Sequence, residues 1–309
     1  MKILVTGGAG FIGSNIVDTL IEKEYSVIVL DNLSSGRKEN VNKKAKFYKA
    51  DICDQKKVIN IFKQEKPQAV IHHAAQIDVR KSITDPIFDV NVNILGSINI
   101  LSACVQTKAK KIIFASSGGT IYGECKSVAP KENSMPSPLS PYGIAKNSVE
   151  NYIKFYSQIY GLEYTILRYG NVFGPRQDPH GEAGVVAIFA QRMLKNKEII
   201  VFGDGKQIRD YVFVSDAVDA NIRSLANGKN EIINIGTAKP TSVNKLVDLM
   251  SKVNGYKKKA IRRPKRDGEL FKSFLNINKA KKILGWTPKI SLDKGIKITM
   301  DYFKEALNK

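Results

Sequence analysis

Short apolar runs rich in β-branched residues recur along the first half of the chain, each separated from the next by a segment of helical length. KILVTGG at 2–8 predicts a buried strand, the stretch at about 11–23 predicts a helix, and SVIVLDN predicts a second strand ending near Asn32. KFYKADI, QAVIHHAA, KIIFASS and EYTILRYG continue the series. This alternation predicts an α/β fold, a doubly wound parallel sheet with helices on both faces. Beyond Gly170 it breaks into GNVFGPRQDPHGEAG, followed by a helix and the short strand EIIVFGDG; IINIG predicts a later strand that returns to the sheet. Residues 1–169 are expected to form the main domain, joined by strands near 208–236. Residues 170–309 are expected to form mainly a smaller C-terminal α/β lobe closing over the carboxyl edge of the sheet.

Between the first strand and its helix, TGGAGFIGS sets Gly7, Gly10 and Gly13 at three-residue intervals. A side chain there would block the tight turn, the approach of a pyrophosphate to backbone N–H groups, and close packing of helix on strand. Asp31 answers this turn from the end of the second strand, where a carboxylate accepts hydrogen bonds from an adenosine ribose and repels a 2′-phosphate. NAD is the expected cofactor, although the neighbouring Arg37 also suits the 2′-phosphate of NADP. The 1–169 domain is thus read as Rossmann-like. Asp51 follows KFYKA, in reach of an adenine amino group, and the small Ala74 and Ala75 let backbone approach the cofactor. His72 and His73 are read as packed rather than catalytic.

SPLSPYGIAKNSVENYIKFY opens a helix on Ser and Pro and carries Tyr142 and Lys146 four residues apart, on one helical face. A tyrosine acting as a base near neutrality needs its pKa lowered, and an adjacent ammonium favours the phenolate. Ser117, delivered from the end of KIIFASS, can bond the same substrate hydroxyl.

Composition changes this picture little. The chain shows no long apolar run and starts on a strand, so neither signal peptide nor membrane span is expected. Cys53, Cys104 and Cys125 lie far apart in no metal-ligand spacing; no metal and a reducing cytoplasm are the expectations. The formal charge of +20 can attract nucleic acid, anionic lipid or phosphorylated substrates. Its densest segment is KKKAIRRPKR at 257–266, which has no stacking aromatics or helix-turn-helix pattern around it, so nucleic acid is not an expected partner.

In their order along the chain, TGGAGFIGS, SSGGTIYGE and PYGIAK resemble the extended short-chain dehydrogenase/reductase superfamily. RYGNVFGPRQ, FGDGKQIRDYVFVSD and PKRDGE resemble its sugar-nucleotide branch, nearest to the UDP-glucose 4-epimerase family, and the likeness runs nearly end to end. It implies Tyr142 as base, Ser117 as hydroxyl partner, and Lys146 as pKa tuner and nicotinamide-ribose ligand. Phe11, Ile12, Asn32 and Ile52 would join Gly7, Gly10, Asp31, Asp51, Ala74 and Ala75 around NAD. Asn171 and Arg209 would contact the nucleotide diphosphate, Arg266 and Glu269 would lie near the uridine, and Val185 and Ser273 would line the substrate site.

Related 4,6-dehydratases carry an Asp-Glu pair after the hydroxyl, and related decarboxylases carry a glutamate there. This chain has Gly118 and Gly119, and its first acid comes at Glu124. A site without extra acids can oxidise an alcohol and reduce the ketone again, which fits 4-epimerisation of a UDP-hexose with NAD retained. The small Ser273 stands where some relatives carry a tyrosine, so UDP-GlcNAc and UDP-GalNAc are expected substrates beside UDP-glucose and UDP-galactose. Ile77 stands where many relatives carry a lysine near the cofactor phosphates, and the SSGGT turn is one residue longer than the common form, leaving Ser116 and Thr120 as alternatives to Ser117. The competing readings are a UDP-glucuronate 4-epimerase and a non-catalytic NAD- or nucleic-acid-binding relative. Helices around 87–106 and 142–160 are expected to flank one another, and the resemblance implies that they pair two copies into a homodimer through a four-helix bundle.

Overall fold

The computed structural model describes residues 1–125, 128–180, 184–266 and 269–307. The chain begins β1 (Lys2–Thr6), α1 (Phe11–Glu22), β2 (Ser26–Asp31), β3 (Lys46–Lys49), α2 (Gln55–Glu65), β4 (Ala69–His72). It continues α3 (Val79–Thr84), α4 (Pro86–Asp89), a π-helical turn at Val90–Leu95, α5 (Gly96–Gln106), β5 (Lys111–Ser117), α6 (Gly118–Ile121), α7 (Pro141–Tyr160) and β6 (Glu163–Tyr169). Next come β7 (Asn171–Phe173), α8 (Val185–Leu194), β8 (Ile200–Phe202), β9 (Ile208–Phe213), α9 (Val214–Ser224) and β10 (Glu231–Ile235). The last elements are β11 (Pro240–Ser242), α10 (Val243–Asn254), β12 (Ile261–Arg263), α11 (Asn278–Leu284) and α12 (Leu292–Leu307).

Seven strands form one sheet in the order β10-β6-β5-β4-β1-β2-β3, and every neighbouring pair is parallel. A parallel sheet covered on both faces buries both sides of each strand, which is why β1, β4 and β5 read as continuous apolar runs. One core packs α1, α8, α9, α10 and α12 around Ile3, Val5, Ile71 and Leu167; the other packs α2, α5 and α7 around Leu4, Val70, Ile112 and Ile166. The strand order reverses between β1 and β4, the crevice where doubly wound sheets bind their ligands at the carboxyl ends.

The expected return of strands near 208–236 to this sheet holds for β10 alone. β9 instead pairs in parallel with β7 and antiparallel with β11 in a separate three-stranded sheet, while β8 and β12 form a parallel pair. Trp286 closes the seam between the parts, fully buried, its Nε1 donating to the Asp216 carbonyl at 2.9 Å.

The run Pro86–Gln106 is, by length and composition, apolar enough to cross a membrane. In the fold it packs against α2 and α7, and its buried Asp89, Asn93 and Ser97 are hydrogen-bonded to the protein, so it is a layer helix with polar anchors.

Candidate active site

Gly7 takes a left-handed φ of +69°, and a Cβ on it would lie 2.7 Å from the Ala74 nitrogen; a Cβ on Gly13 would lie 2.1 Å from the Gly7 carbonyl oxygen. Only hydrogen fits at either place. No side chain caps α1, so its first N–H groups, at Phe11 and Ile12 beyond Gly10, have no partner within the helix and suit a pyrophosphate.

Asp31 is buried at the rim of this turn, its Oδ2 accepting from the Ala9 N–H at 3.0 Å and its Oδ1 from the Leu33 N–H at 2.8 Å. Both bonds aim the carboxylate and leave lone pairs for ribose hydroxyls. Asn32 Nδ2 donates to Asp51 Oδ2 at 2.8 Å, and the Cys53 N–H donates to Asp51 Oδ1 at 2.8 Å. Burial pushes Asp51 up, but these donors bring its carboxyl below the usual range. Ile52 is buried next to it. Ala74 is held by its N–H donating to Thr6 Oγ1 at 3.1 Å, and Ala75 is half-buried beside it. The residues present therefore fit a dinucleotide with an unphosphorylated adenosine ribose. His72 and His73 are driven down to about 3 and about 4 by burial, which leaves both neutral and packed.

Ser140 caps α7, accepting from the Gly143 N–H at 3.2 Å, and Pro141 starts the helix. On its inner face Lys146 is buried, its Nζ donating to the Ala115 carbonyl at 3.0 Å and lying 5.7 Å from the centre of the Tyr142 ring. Burial lowers Lys146 to about 8, against the opposing charges of Asp89 and Glu150. The Tyr142 phenol is pushed well above its ordinary range by burial, with Asp89 adding to the effect. Desolvation therefore opposes ionisation of the phenol here, the direction in which a neighbouring cation has to act.

The two glycines after Ser117 face different ways. A Cβ on Gly118 would strike both Leu275 methyls at 2.7 Å, inside the core. One on Gly119 would stand 3.8 Å from Ser117 Oγ, 3.9 Å from Asn171 Oδ1 and 3.9 Å from Ser273 Oγ. Three polar groups from three distant segments so converge on one empty point. Ser116 is turned inward and donates to Glu150 Oε1 at 2.6 Å, and Thr120 Oγ1 is buried without a partner. Glu124 accepts from the Phe271 and Lys272 N–H groups at 2.8 and 2.7 Å, which binds the segment carrying Ser273 to the Ser117 turn.

Arg209 and Glu269 meet in an ion pair at 3.1 Å. The Arg266 guanidinium stacks 3.6 Å over the Phe202 ring of β8, and Val185 opens α8, partly buried on the core. Ile77 is half exposed.

The sequence profile of the NAD dependent epimerase/dehydratase family matches residues 3–236. The chain belongs to that family. Over 302 residues this family member is 52% identical to the putative UDP-glucose 4-epimerase of Methanocaldococcus jannaschii, covering 98% of each chain. It is similar to the UDP-glucose 4-epimerase of Thermotoga maritima solved with UDP-glucose, at a TM-score of 0.98 and 52% identity over 99% of this chain and 100% of that one. It also resembles the Thermus thermophilus UDP-glucose 4-epimerase solved with NAD, at a TM-score of 0.95 and 43% identity over 99% of this chain and 100% of that one.

Sequence reasoning passed over a polar layer behind the site of this epimerase/dehydratase family member. Glu150 lies one helical turn beyond Lys146 and is fully buried, as is Asp89, and Arg168 is buried within β6. The signals were present: Tyr142, Lys146 and Glu150 repeat every four residues, and Arg168 interrupts the apolar run TILRYG. A charge in such a run demands a partner.

Proposed function

We propose that this protein is a UDP-hexose 4-epimerase that interconverts UDP-glucose and UDP-galactose with a retained NAD, residues 1–169 holding mainly the cofactor and 170–309 mainly the sugar nucleotide. The observation that carries this is the point at Gly119, where the three nearest side-chain atoms among the described residues are Ser117 Oγ, Asn171 Oδ1 and Ser273 Oγ, none of them a carboxylate. Elimination of water would need a further acid and base there; exchange of a proton and a hydride at one carbon does not.

Gly7, Gly10, Phe11 and Ile12 hold the pyrophosphate of NAD, and Asp31, Asn32, Asp51 and Ile52 hold its adenosine. Bound NAD supplies acceptance and return of a hydride at the sugar C4, and a positive ring in its oxidised form. Ser117 bonds the C4 hydroxyl and orients it toward Tyr142. Tyr142, as phenolate, takes the hydroxyl proton as C4 becomes a carbonyl, and returns it once the ketose has turned to offer its other face. Lys146 stabilises the phenolate and bonds the nicotinamide ribose. Because the sugar must rotate, anchoring falls on the nucleotide: Asn171 and Arg209 hold the diphosphate, with Arg266 and Glu269 near the uridine and Val185 at the pocket wall. The Arg209–Glu269 ion pair supports this placement, since a guanidinium already donating to one oxyanion keeps further N–H groups to donate to another.

Ser273, with only a hydroxymethyl group at the pocket, admits an N-acetyl substituent, so UDP-GlcNAc and UDP-GalNAc are substrates too. A second copy of the chain covers the outer faces of α4, the π-helical turn, α5 and α7, forming a four-helix bundle; Ile87, Leu95, Tyr152, Phe155 and Ile159 are exposed on α4, the turn and α7. The setting is the cytoplasm, and the pathway is galactose metabolism.

The decisive experiment incubates the purified protein with UDP-galactose and with UDP-N-acetylgalactosamine, without added NAD, and separates the C4 epimers by chromatography. Conversion of both supports the whole reading. Conversion of UDP-galactose alone removes the N-acetyl extension. If neither reacts after NAD is added, the assignment fails and UDP-glucuronate is tried next.

A further inference from the structure

We propose that Asp89 is the buried counter-ion of Lys146 and sets the pH range over which the Tyr142–Lys146 pair works. This rests on the reading of Tyr142 as the base, and it adds a positioning residue from an element outside the catalytic helix.

Asp89 ends α4 just before the π-helical turn and is fully buried. Its Oδ1 accepts from Gln76 Nε2 and Asn93 Nδ2, each at 2.9 Å, while its Oδ2 has no hydrogen-bond partner. A buried carboxylate left half satisfied is costly and is tolerated where a nearby cation offsets it. α4 packs directly on α7, and the Asp89 charge acts on both Tyr142 and Lys146.

Among the described residues, the titratable groups interacting with Lys146 come from three elements. From its own helix come Tyr142 and Glu150; from the end of β4 come His72 and His73; from α4 comes Asp89. Glu150 is bonded twice by the Arg168 guanidinium, at 2.9 and 2.6 Å, so its charge is already matched. Both histidines are neutral. Among these groups Asp89 alone brings a carboxylate not already matched by a guanidinium.

The network behind Asp89 is rigid and directional. Ala74 N–H donates to Thr6 Oγ1, whose own proton is then directed to His72 Nδ1 at 2.6 Å. Ser97 Oγ donates to the Asn93 carbonyl at 2.6 Å, so it must accept from His72 Nε2 at 3.0 Å, which fixes the proton of His72 on Nε2. Asn93 in turn exchanges bonds with the Gln76 backbone at 2.9 and 3.0 Å and holds Asp89. The π-helical turn, a feature frequent at functional sites, sets Asn93 and Ser97 on this line. The carboxylate is thereby fixed relative to the backbone that borders the cofactor.

The sign follows from charge. A fixed anion raises the pKa of both partners: it keeps Lys146 an ammonium and makes the Tyr142 phenol harder to ionise. Removing it should move both to lower pH.

The test compares wild type, Asp89→Asn, Asp89→Glu and Tyr142→Phe. Profiles of kcat against pH are taken with UDP-galactose, and tyrosinate absorbance is titrated in each Asp89 background with and without Tyr142→Phe. Asp89→Asn is expected to move both limbs of the profile about one unit toward acid, the lower end of what a close opposite charge imposes, with KM changed less than about twofold. Asp89→Glu, which keeps the charge, should keep the wild-type limbs. The Tyr142-specific absorbance step should fall in pH with Asp89→Asn. Asp89→Ser, also neutral, carries the same test should the amide variant not fold. Lower stability or rate with both limbs and the absorbance step unmoved would overturn the proposal. An inactive wild type whose Tyr142 step still moves would refute the epimerase reading and leave the counter-ion standing.

Discussion

Glu150 accepts two hydrogen bonds from one guanidinium, 2.9 Å from Arg168 Nε and 2.6 Å from Nη2, with both side chains almost fully buried. The pair ties α7 to β6, while Ser116 from β5 donates to the same carboxylate and Arg168 Nη1 donates to the Tyr122 hydroxyl at 2.7 Å. Removing one member strands the other in a low dielectric. Arg168→Met is expected to lose about 3–5 kcal/mol of unfolding free energy, measured by denaturant titration. A loss no larger than that of an exposed-lysine variant would show that the pair is not a structural tie.

Under the proposed mechanism, Tyr142→Phe removes the proton acceptor while leaving the fold and the cofactor turn intact. Epimerisation of UDP-galactose is expected to fall about 10²–10⁴-fold, while NAD released on denaturation stays at the wild-type amount. Near-normal turnover would place the base elsewhere.

Gly13→Ala places a methyl where the Gly7 carbonyl oxygen stands 2.1 Å away. That contact opens the turn between β1 and α1. The variant should purify with little or no NAD and melt at a lower temperature. Full NAD content would show that the turn does not set cofactor retention.

Ser273→Tyr fills the wall opposite Gly119. Turnover of UDP-N-acetylgalactosamine should drop at least about tenfold while that of UDP-galactose changes little, the scale on which a pocket sorts substrates by bulk. Equal losses on both sugars would mean that the residue does not gate size.

The buried histidines give a pH signature. Burial holds His73 at about 4, against an unperturbed value of about 6.5. Between those values the unfolded chain binds a proton that the native one does not, so stability falls as pH drops through 6.5 and the loss is complete below about 4. Lys146, lowered to about 8, works in an alkaline window with the same sign: its contribution rises from pH 8 up to the unfolded lysine value of about 10.4. His73→Gln should flatten the acid dependence by close to one proton, read from denaturation midpoints across the acid window. An unchanged slope would mean that His73 is not neutral in the native state.

Much of this was readable in the chain. Strands buried on both faces need apolar residues throughout, so β1, β2, β4, β5 and β6 stood out as β-branched runs. The turn between β1 and α1 needs glycine for steric reasons that hold before any packing is known. Tyr142 and Lys146 share a face because a helix has a fixed pitch. Local geometry therefore fixed the doubly wound sheet, the dinucleotide turn and the Tyr-Lys pair.

Only the tertiary structure decided which hydroxyl faces the pocket, since Ser116 and Ser117 differ merely in which side of β5 they leave. It placed β9 outside the large sheet, because strand partners are chosen by long-range pairing and not by the strand's own residues. It brought Asn171 and Ser273 to Gly119 from 52 and 154 residues away, joined Arg168 to Glu150, and packed α4, which ends in Asp89, on the helix of Lys146. Burial set the direction in which the Tyr142 phenol shifts. Dielectric environment is a property of the whole packed molecule, and no spacing of residues along a chain records it.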